Sequence, residues 1–329
     1  MRFASLALIV LLILAVGCGT PTPAATPTAV PTPTPAATAT PLPGEVLLVT
    51  DGVTDPALLS SAQETLTRLA SGSGYTLKVV PAATTADLTP QVVVAVFLVP
   101  PADLTNLLTT SPQTQFVVVS PAELPQSENL SVVLANSEDQ SFLAGYAAIL
   151  LSNDWRAGGL LPGGTPEDDL LQQSFVNGGA YFCGTCSPLY PPYLNFPIQG
   201  ALPAGSDPNA WVAMANQLLA NRLNVMYVSP EAASPELYNY LASQNLMILG
   251  AGTPPESEAA RYAGSVIQDP ITPIEILWPD LTSGKGGSTV AADLLFAHVN
   301  PALFSEGRQH QAEQVIEQLR NGLILTHNP

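Results

Sequence analysis

Residues 92–136 read VVVAVFLVPPADLTNLLTTSPQTQFVVVSPAELPQSENLSVVLAN, and this stretch decides the fold class. It contains three apolar runs, VVVAVFLV, FVVVS and LSVVLAN, separated by a short helical segment and by Pro- and Ser-rich turns. Strands that are apolar on both faces are typical of a parallel sheet covered by helices on both sides. The stretch therefore predicts the core of a doubly wound α/β lobe.

The same alternation extends in both directions along the chain. EVLLVT (45–50) and TLKVV (76–80) are further strands on either side of an amphipathic helix. After residue 136 the scheme repeats, with helices in DQSFLAGYAAILLS and PEDDLLQQSFVNGGAYF, the latter ending at Gly178 and Gly179, and strands in NVMYVS and NLMILGAG. We expect two doubly wound parallel-sheet lobes with a hinged cleft at the carboxyl ends of their strands.

The N-terminal segment predicts export and a lipid anchor. Residues 1–17 carry one arginine and an apolar run too short to span a bilayer, as in a signal peptide. Ala15-Val16-Gly17-Cys18 resembles a bacterial lipobox, which implies a lipidated Cys18, for example by palmitate. Residues 18–43 continue as a Pro/Thr/Ala-rich stalk. We expect an extracytoplasmic protein, lipid-anchored to the cell membrane.

The charge balance excludes several partners. The chain has 26 acidic and 9 basic residues, a formal charge of −17, and no cluster of basic residues. Nucleic-acid binding is not expected, because neutralising phosphates supplies most of that affinity. Attraction to anionic lipids is not expected either, so membrane attachment falls to Cys18.

Cys183 and Cys186 form a CxxC motif that allows three interpretations. Outside the cytoplasm a disulfide is favoured, and it would fix the loop that follows. Structural zinc needs four ligands, and the three histidines are distant in sequence. A thiol oxidoreductase would place the motif at a helix N-terminus, which the prolines of SPLYPP disfavour. We find no catalytic triad, phosphate loop or metal motif, and expect no enzymatic activity, cofactor or metal.

Residues 135–182 resemble the basic membrane protein family, also called purine nucleoside receptor A-like, of ABC-transporter substrate-binding lipoproteins. The resemblance is carried by an acidic residue before FLAG, a strand ending in GG, and a helix with a glycine-rich turn. It implies a type 1 periplasmic binding protein fold. The first lobe would comprise 44–134 completed by about 269–290, and the second 135–268 completed by part of 291–329.

The family implies nucleoside binding. Some of its nucleoside-contacting residues are matched in this sequence, and others are replaced. Asp51 and Asp55 match the acids after the first strand. Leu58 and Leu59 replace an aromatic residue and an amide, Gly252 replaces a ribose-binding aspartate, and Gln268 replaces a lysine.

Our candidate ligand-binding residues lie at strand ends or on the loop that contains the CxxC motif: Asp51, Asp55, Phe97, Ser120, Asn136, Phe182, Tyr190, Tyr193, Glu231 and Gln268. The resemblance implies a monomer that captures a small molecule and delivers it to an ABC permease. One alternative is a surface sensor or interaction module with the same fold, and a second is an extracytoplasmic thiol oxidoreductase using Cys183 and Cys186.

Overall fold

A computed structural model describes residues 43–53 and 55–327. The predicted signal peptide, Cys18 and nearly all of the predicted stalk lie outside the described residues. Residues 42–329 form one compact unit. Within the described part, no helix combines the length and apolar character needed to cross a membrane.

The described part contains twelve strands and eight α-helices. The strands are β1 Glu45–Val49, β2 Thr76–Val80, β3 Val92–Phe97, β4 Gln115–Ser120, β5 Leu130–Leu134, β6 Ala157–Pro162, β7 Ile198–Leu202, β8 Val225–Val228, β9 Met247–Gly250, β10 Tyr262–Asp269, β11 Thr289–Ala291 and β12 Asp293–Ala297. The helices are α1 Pro56–Gly72, α2 Leu104–Thr110, α3 Ser137–Leu151, α4 Pro166–Cys183, α5 Pro208–Leu219, α6 Pro235–Ser243, α7 Ile271–Thr282 and α8 Glu306–Arg320.

The strands form two six-stranded sheets, which we call the first and second sheet. The first has the order β11-β5-β4-β3-β1-β2, and all its pairs are parallel. The second has the order β12-β10-β9-β8-β6-β7, parallel except for the edge strand β12. The predicted α/β fold with two parallel-sheet lobes is confirmed, and the continuous apolar runs are its buried central strands.

Each sheet has its own buried core, and we call a sheet with its helices a lobe. In the first lobe α1 and α7 pack on one face, where Leu66 and Trp278 lie in one cluster with Val94. In the second lobe Trp211 and Phe175 belong to a larger cluster. Helix α7 directly follows β10 of the second sheet but packs in the first lobe. The chain therefore returns to the first lobe between β10 and α7.

Three crossovers connect the lobes. The chain passes from β5 to α3 at residues 135–136, from β10 to α7 at Pro270, and from β11 to β12 at Ala292. In proteins with two lobes, hinge motions generally occur at a few residues of such connections.

Helices α3 and α4 pack with direct backbone contact. A Cβ atom built on Gly145 of α3 would lie 1.8 Å from the carbonyl oxygen of Phe175, and one on Gly178 of α4 would lie 1.9 Å from that of Phe142. The prediction that α4 ends at Gly178 and Gly179 was wrong, since the helix continues to Cys183. These glycines serve close helix packing rather than helix termination.

Strands β7, β10, β11 and β12 were not predicted from the sequence. Strand β10 reads YAGSVIQD and mixes small and polar residues with apolar ones. Strand β11 has three residues, and β7 and β12 are edge strands without fully apolar sequence. Edge strands are covered on fewer sides, so the hydrophobic pattern that predicts central strands is weak in them.

Candidate ligand-binding site

A pocket between the lobes lies beside the crossovers and has a volume of about 490 Å³. Residues of both lobes line it, from the start of α1, the starts of α3 and α7, and the loop after β9. The lining residues are Asp55, Ala57, Leu58, Ser61, Ala135, Ser137, Gln140, Ala251, Gly252, Thr253, Ile267, Gln268, Asp269, Pro270, Ile271, Leu295 and His298.

Three helices begin at this pocket, and each has a polar side chain bonded to its first turn. Asp55 accepts a hydrogen bond from the amide of Ala57 at 2.8 Å, and Asn136 accepts one from the amide of Glu138 at 3.0 Å. Asp269 accepts one from the amide of Ile271 at 2.8 Å. Because these acceptors interact with helix N-termini, the acidic charge facing the pocket is partly compensated.

Gln268 connects two of the crossovers at the back of the pocket. Its side-chain nitrogen donates to the backbone carbonyl of Asn136, which lies at the first crossover. Gln140 donates to the carbonyl of Val266 at 2.8 Å. These amides hold the crossover segments in register and present polar groups to the pocket.

Two buried hydroxyl groups hold the loop after β9 in place by hydrogen bonds to its backbone. Tyr262 donates to the carbonyl of Gly252 at 2.9 Å, and Ser265 donates to the same oxygen at 2.5 Å. Burial raises the pKa of Tyr262, so this phenol remains a donor. A Cβ atom on Gly252 would meet nothing within 4 Å, so this position faces open space at the pocket wall.

The predicted residues are placed unevenly. Asp55 and Gln268 line the pocket, and Asn136 caps the helix beside it. Asp51 is exposed in the turn after β1 and is not among the lining residues. Glu231 lines a neighbouring cavity of about 80 Å³, which shares Ser137 and Gln140 with the pocket.

Two further predicted residues are buried in the first lobe. Phe97 is 1% exposed and stacks on Phe116 with ring centroids 6.2 Å apart. The hydroxyl of Ser120 is bonded to the carbonyl of Ala122 at 2.6 Å. Neither side chain lines the interlobe pocket, so the expectation that they face the ligand is not met by their positions.

Phe182, Tyr190 and Tyr193, predicted as an aromatic lining, are not among the residues that line this pocket. Helix α4 runs antiparallel to the strands it covers, so the loop between α4 and β7 lies at the amino ends of the second sheet. Arg156, just before β6, donates to the carbonyl of Tyr190 at 2.7 Å, which places the loop at that edge. The pocket is at the opposite, carboxyl edge.

Cys183 and Cys186 form a disulfide, which is the interpretation that the sequence favoured. Cys183 is the last residue of α4, so the motif lies at the C-terminal end of a helix rather than at its N-terminus. A helix C-terminus does not favour a thiolate. The disulfide is remote from the pocket, and the idea that it fixes a cleft-lining loop is therefore not supported.

Sequence reasoning missed several lining residues, among them Ser137, Gln140 and His298. Ser137 and Gln140 lie in the first turn of the helix that follows the predicted Asn136, so their place at a helix start was a usable signal. His298 directly follows β12 with a φ of 50°, and no local sequence pattern indicated that it lines the pocket. In the described part, no three His, Cys, Asp or Glu side chains come together as a metal site.

Asp139 on α3 is half-buried beside the crossovers and has a perturbed pKa. Burial first, and the neighbouring Glu138 second, raise its pKa to about 6. Asp293 and Arg320 line the same small cavity. The folded state therefore retains a proton on this carboxyl at pH values where the unfolded chain has lost it.

We expect stability to fall as pH rises from about 4 to about 6, because only the folded state then keeps Asp139 protonated. Asp139→Asn should remove this fall and stabilise the protein at pH 7 by about 1–2 kcal/mol, after allowance for solvent screening. Urea unfolding at several pH values measures both. The exposed Asp103→Asn variant is the control, and a parallel pH profile for Asp139→Asn and wild type would contradict the assignment.

Comparison with known proteins identifies the fold. No protein-family model matches the chain, and no curated protein matches it. Among solved structures, an ABC transporter solute-binding protein from Conexibacter woesei DSM 14684 superposes with a TM-score of 0.62 and 14% identity, covering 86% of this chain and 98% of that one. One from Aeropyrum pernix K1 gives a TM-score of 0.58 at 14% identity, covering 86% and 87%.

A transcriptional activator of the comK gene from Bacillus halodurans is equally similar, with a TM-score of 0.63, 14% identity, and coverage of 86% of this chain and 100% of that one. Identities this low show the fold alone. The chain has the type 1 periplasmic binding protein fold, with two α/β lobes joined by three crossovers.

Proposed function

We propose that this chain is an extracytoplasmic, lipid-anchored solute-binding protein of an ABC importer. The observation that carries the proposal is the 490 Å³ pocket at the crossovers, which residues of both lobes line. A ligand there contacts both lobes at once, so its binding free energy favours a closed arrangement. A volume of this order is typical of small-molecule sites.

The proposed ligand is a small neutral polyol or sugar. The lining includes hydroxyl, amide and carboxylate groups, from Ser61, Ser137, Gln140 and Asp269 among others, and none of the lining residues is Phe, Tyr or Trp. Hydroxyl groups of a polyol pair with such acceptors and donors, whereas a flat base has one aromatic ring in the lining to stack on, the imidazole of His298. A structural neighbour from Geobacillus stearothermophilus is described as a glucose-galactose binding protein.

A purine nucleoside is the second ligand candidate, because of the resemblance to the basic membrane protein family. Asp55, Leu58, Gly252 and Gln268 occupy family contact positions and all line the pocket. Gly252 lacks the carboxylate that would bind ribose hydroxyls, and each unpaired buried hydroxyl costs about 1–3 kcal/mol. The lining therefore favours the polyol.

The proposed mechanism is hinge closure of a monomer, followed by delivery to a membrane permease. The moving bodies would be residues 44–134 with about 269–290, and residues 135–268 with part of 291–329. Bending is proposed at the three crossovers, since these are the points at which the chain passes between lobes.

The alternative function is a surface sensor, in which closure signals to a partner instead of a permease. The likeness to a described transcriptional activator favours keeping this alternative. Both functions require ligand binding in the same pocket, and they differ in whether uptake of the ligand depends on the protein.

A thermal-shift screen of residues 44–329 against sugars, polyols, nucleosides, free bases and amino acids tests the proposal. A ligand at 100 times its dissociation constant stabilises the folded state by about 2.7 kcal/mol. We expect a shift from a sugar or polyol. A shift from nucleosides alone would overturn the ligand class, and no shift from any compound would count against solute binding.

A further inference from the structure

The loop between α4 and β7 exposes large apolar side chains to solvent. Leu189 is 83% exposed, Tyr190 73% and Tyr193 69%. We call residues 187–194 the apolar loop. Six of the eleven exposed large hydrophobic residues of the described part lie within residues 176–194. A concentration of exposed apolar side chains at one edge of a lobe indicates a contact surface.

The segment that carries the apolar loop has no charge. Residues 170–206 contain no Asp, Glu, Lys, Arg or His, although the chain has 26 acidic residues. A protein partner recognised by charge would find no complementary group here. A low-polarity surface can approach this segment without desolvating an ionised side chain.

The apolar loop is held in place rather than left free. The disulfide closes the turn just before it, and Cys186 and Phe196, 2% and 3% exposed, flank it and lie in the core of the second lobe. Arg156, 6% exposed, donates to the carbonyls of Tyr190 at 2.7 Å and Pro191 at 3.3 Å. These bonds satisfy backbone acceptors that would otherwise need water, and fixing the loop lowers the entropic cost of binding.

We propose that the apolar loop contacts the surface of a lipid bilayer. Tyrosine and leucine with satisfied backbone carbonyls suit the interfacial region, where tyrosine places its ring in the apolar layer and its hydroxyl at the headgroups. The chain's charge of −17 opposes anionic lipids, so the fitting headgroup is zwitterionic.

The choice of a bilayer over a protein partner rests on the proposed lipid anchor. A tether at Cys18 raises the local concentration of the loop at the membrane, so weak insertion suffices. The 25 residues from 19 to 43 can span roughly 75 Å when extended, at about 3.1 Å per residue. The second lobe can then reach the bilayer that holds the tether.

The test tethers residues 19–329 by an N-terminal polyhistidine tag to phosphatidylcholine vesicles containing a chelating lipid, so it does not depend on lipidation of Cys18. Tyr193→Trp places a fluorescent reporter on the apolar loop. Ile276→Trp places a matched reporter on α7, where Ile276 is 70% exposed in the first lobe. The vesicles carry either ordinary or brominated acyl chains, and wild type supplies the background of the native tryptophans.

We expect brominated chains to cause an additional loss of fluorescence for Tyr193→Trp and none for Ile276→Trp. Adding Leu189→Ser and Tyr190→Ser to the Tyr193→Trp variant should abolish that loss. Equal quenching of the two reporters, or none, overturns the proposal.

A dimer in sedimentation that the serine substitutions dissociate would instead assign the loop to a second copy. The ligand-induced shift in melting temperature is also measured on the serine variant. A shift that persists while no quenching is seen contradicts only membrane contact, whereas the loss of any shift counts against solute binding.

Discussion

Replacing Gly145 by alanine is expected to destabilise the protein by about 3 kcal/mol or more. The new methyl group would lie 1.8 Å from the carbonyl oxygen of Phe175, a backbone atom that cannot move without displacing α4. Helices α3 and α4 form the most extensive helix pair of the second lobe, so their separation opens its core. Chemical unfolding of residues 44–329, followed by circular dichroism, measures the loss.

Gly178→Ala should have a similar effect, since its methyl group would lie 1.9 Å from the carbonyl oxygen of Phe142. Gly307→Ala on α8 is the matched control, because a Cβ atom there meets nothing within 4 Å. The control should be neutral or slightly stabilising, as alanine is the better helix former. If Gly145→Ala were as stable as the control, the close packing of α3 on α4 would be incorrect.

The second large effect is expected from Gly252→Phe. Gly252 lines the pocket, open space surrounds its Cβ direction, and its carbonyl is fixed by Tyr262 and Ser265. A phenyl group would fill ligand volume without disturbing the core. We expect affinity for the ligand found in the screen to fall at least about a hundredfold, or about 2.7 kcal/mol.

Titration calorimetry measures that affinity, and the melting temperature of the ligand-free variant checks that the fold is intact. Gly307→Phe, on α8 and outside the pocket, is the control for adding a phenyl group to the surface. An unchanged affinity for Gly252→Phe would show that the ligand binds elsewhere.

The central strands were predictable because burial on both faces requires apolar residues throughout the strand. Strands β3 and β4 are buried on both faces, so nearly every residue from Val94 to Phe97 and from Phe116 to Val119 is apolar. The end of α4 was not predictable, because Gly178 has the same local sequence signature whether it ends a helix or packs against one. Only the neighbouring helix distinguishes the two.

The candidate site was predictable where it follows the general geometry of parallel sheets. Asp55 and Gln268 could be placed because carboxyl ends of strands meet at one edge. Tyr190 was misplaced because it follows a helix, and the end of that helix lies at the opposite edge. His298 was missed because β11 and β12 are short and lie on opposite sides of a crossover that the sequence pattern does not reveal.

The most direct test of solute binding by lobe closure is a distance measured across the cleft. Spin labels are attached at Glu123→Cys, which follows β4 in the first lobe, and at Ala233→Cys, which follows β8 in the second. Both positions are exposed, and electron paramagnetic resonance measures the distance between the labels. Adding the compound that gives the largest melting shift should shorten that distance in wild-type background but not with Gly252→Phe. An unchanged distance at saturating ligand would contradict closure of the two lobes on a solute.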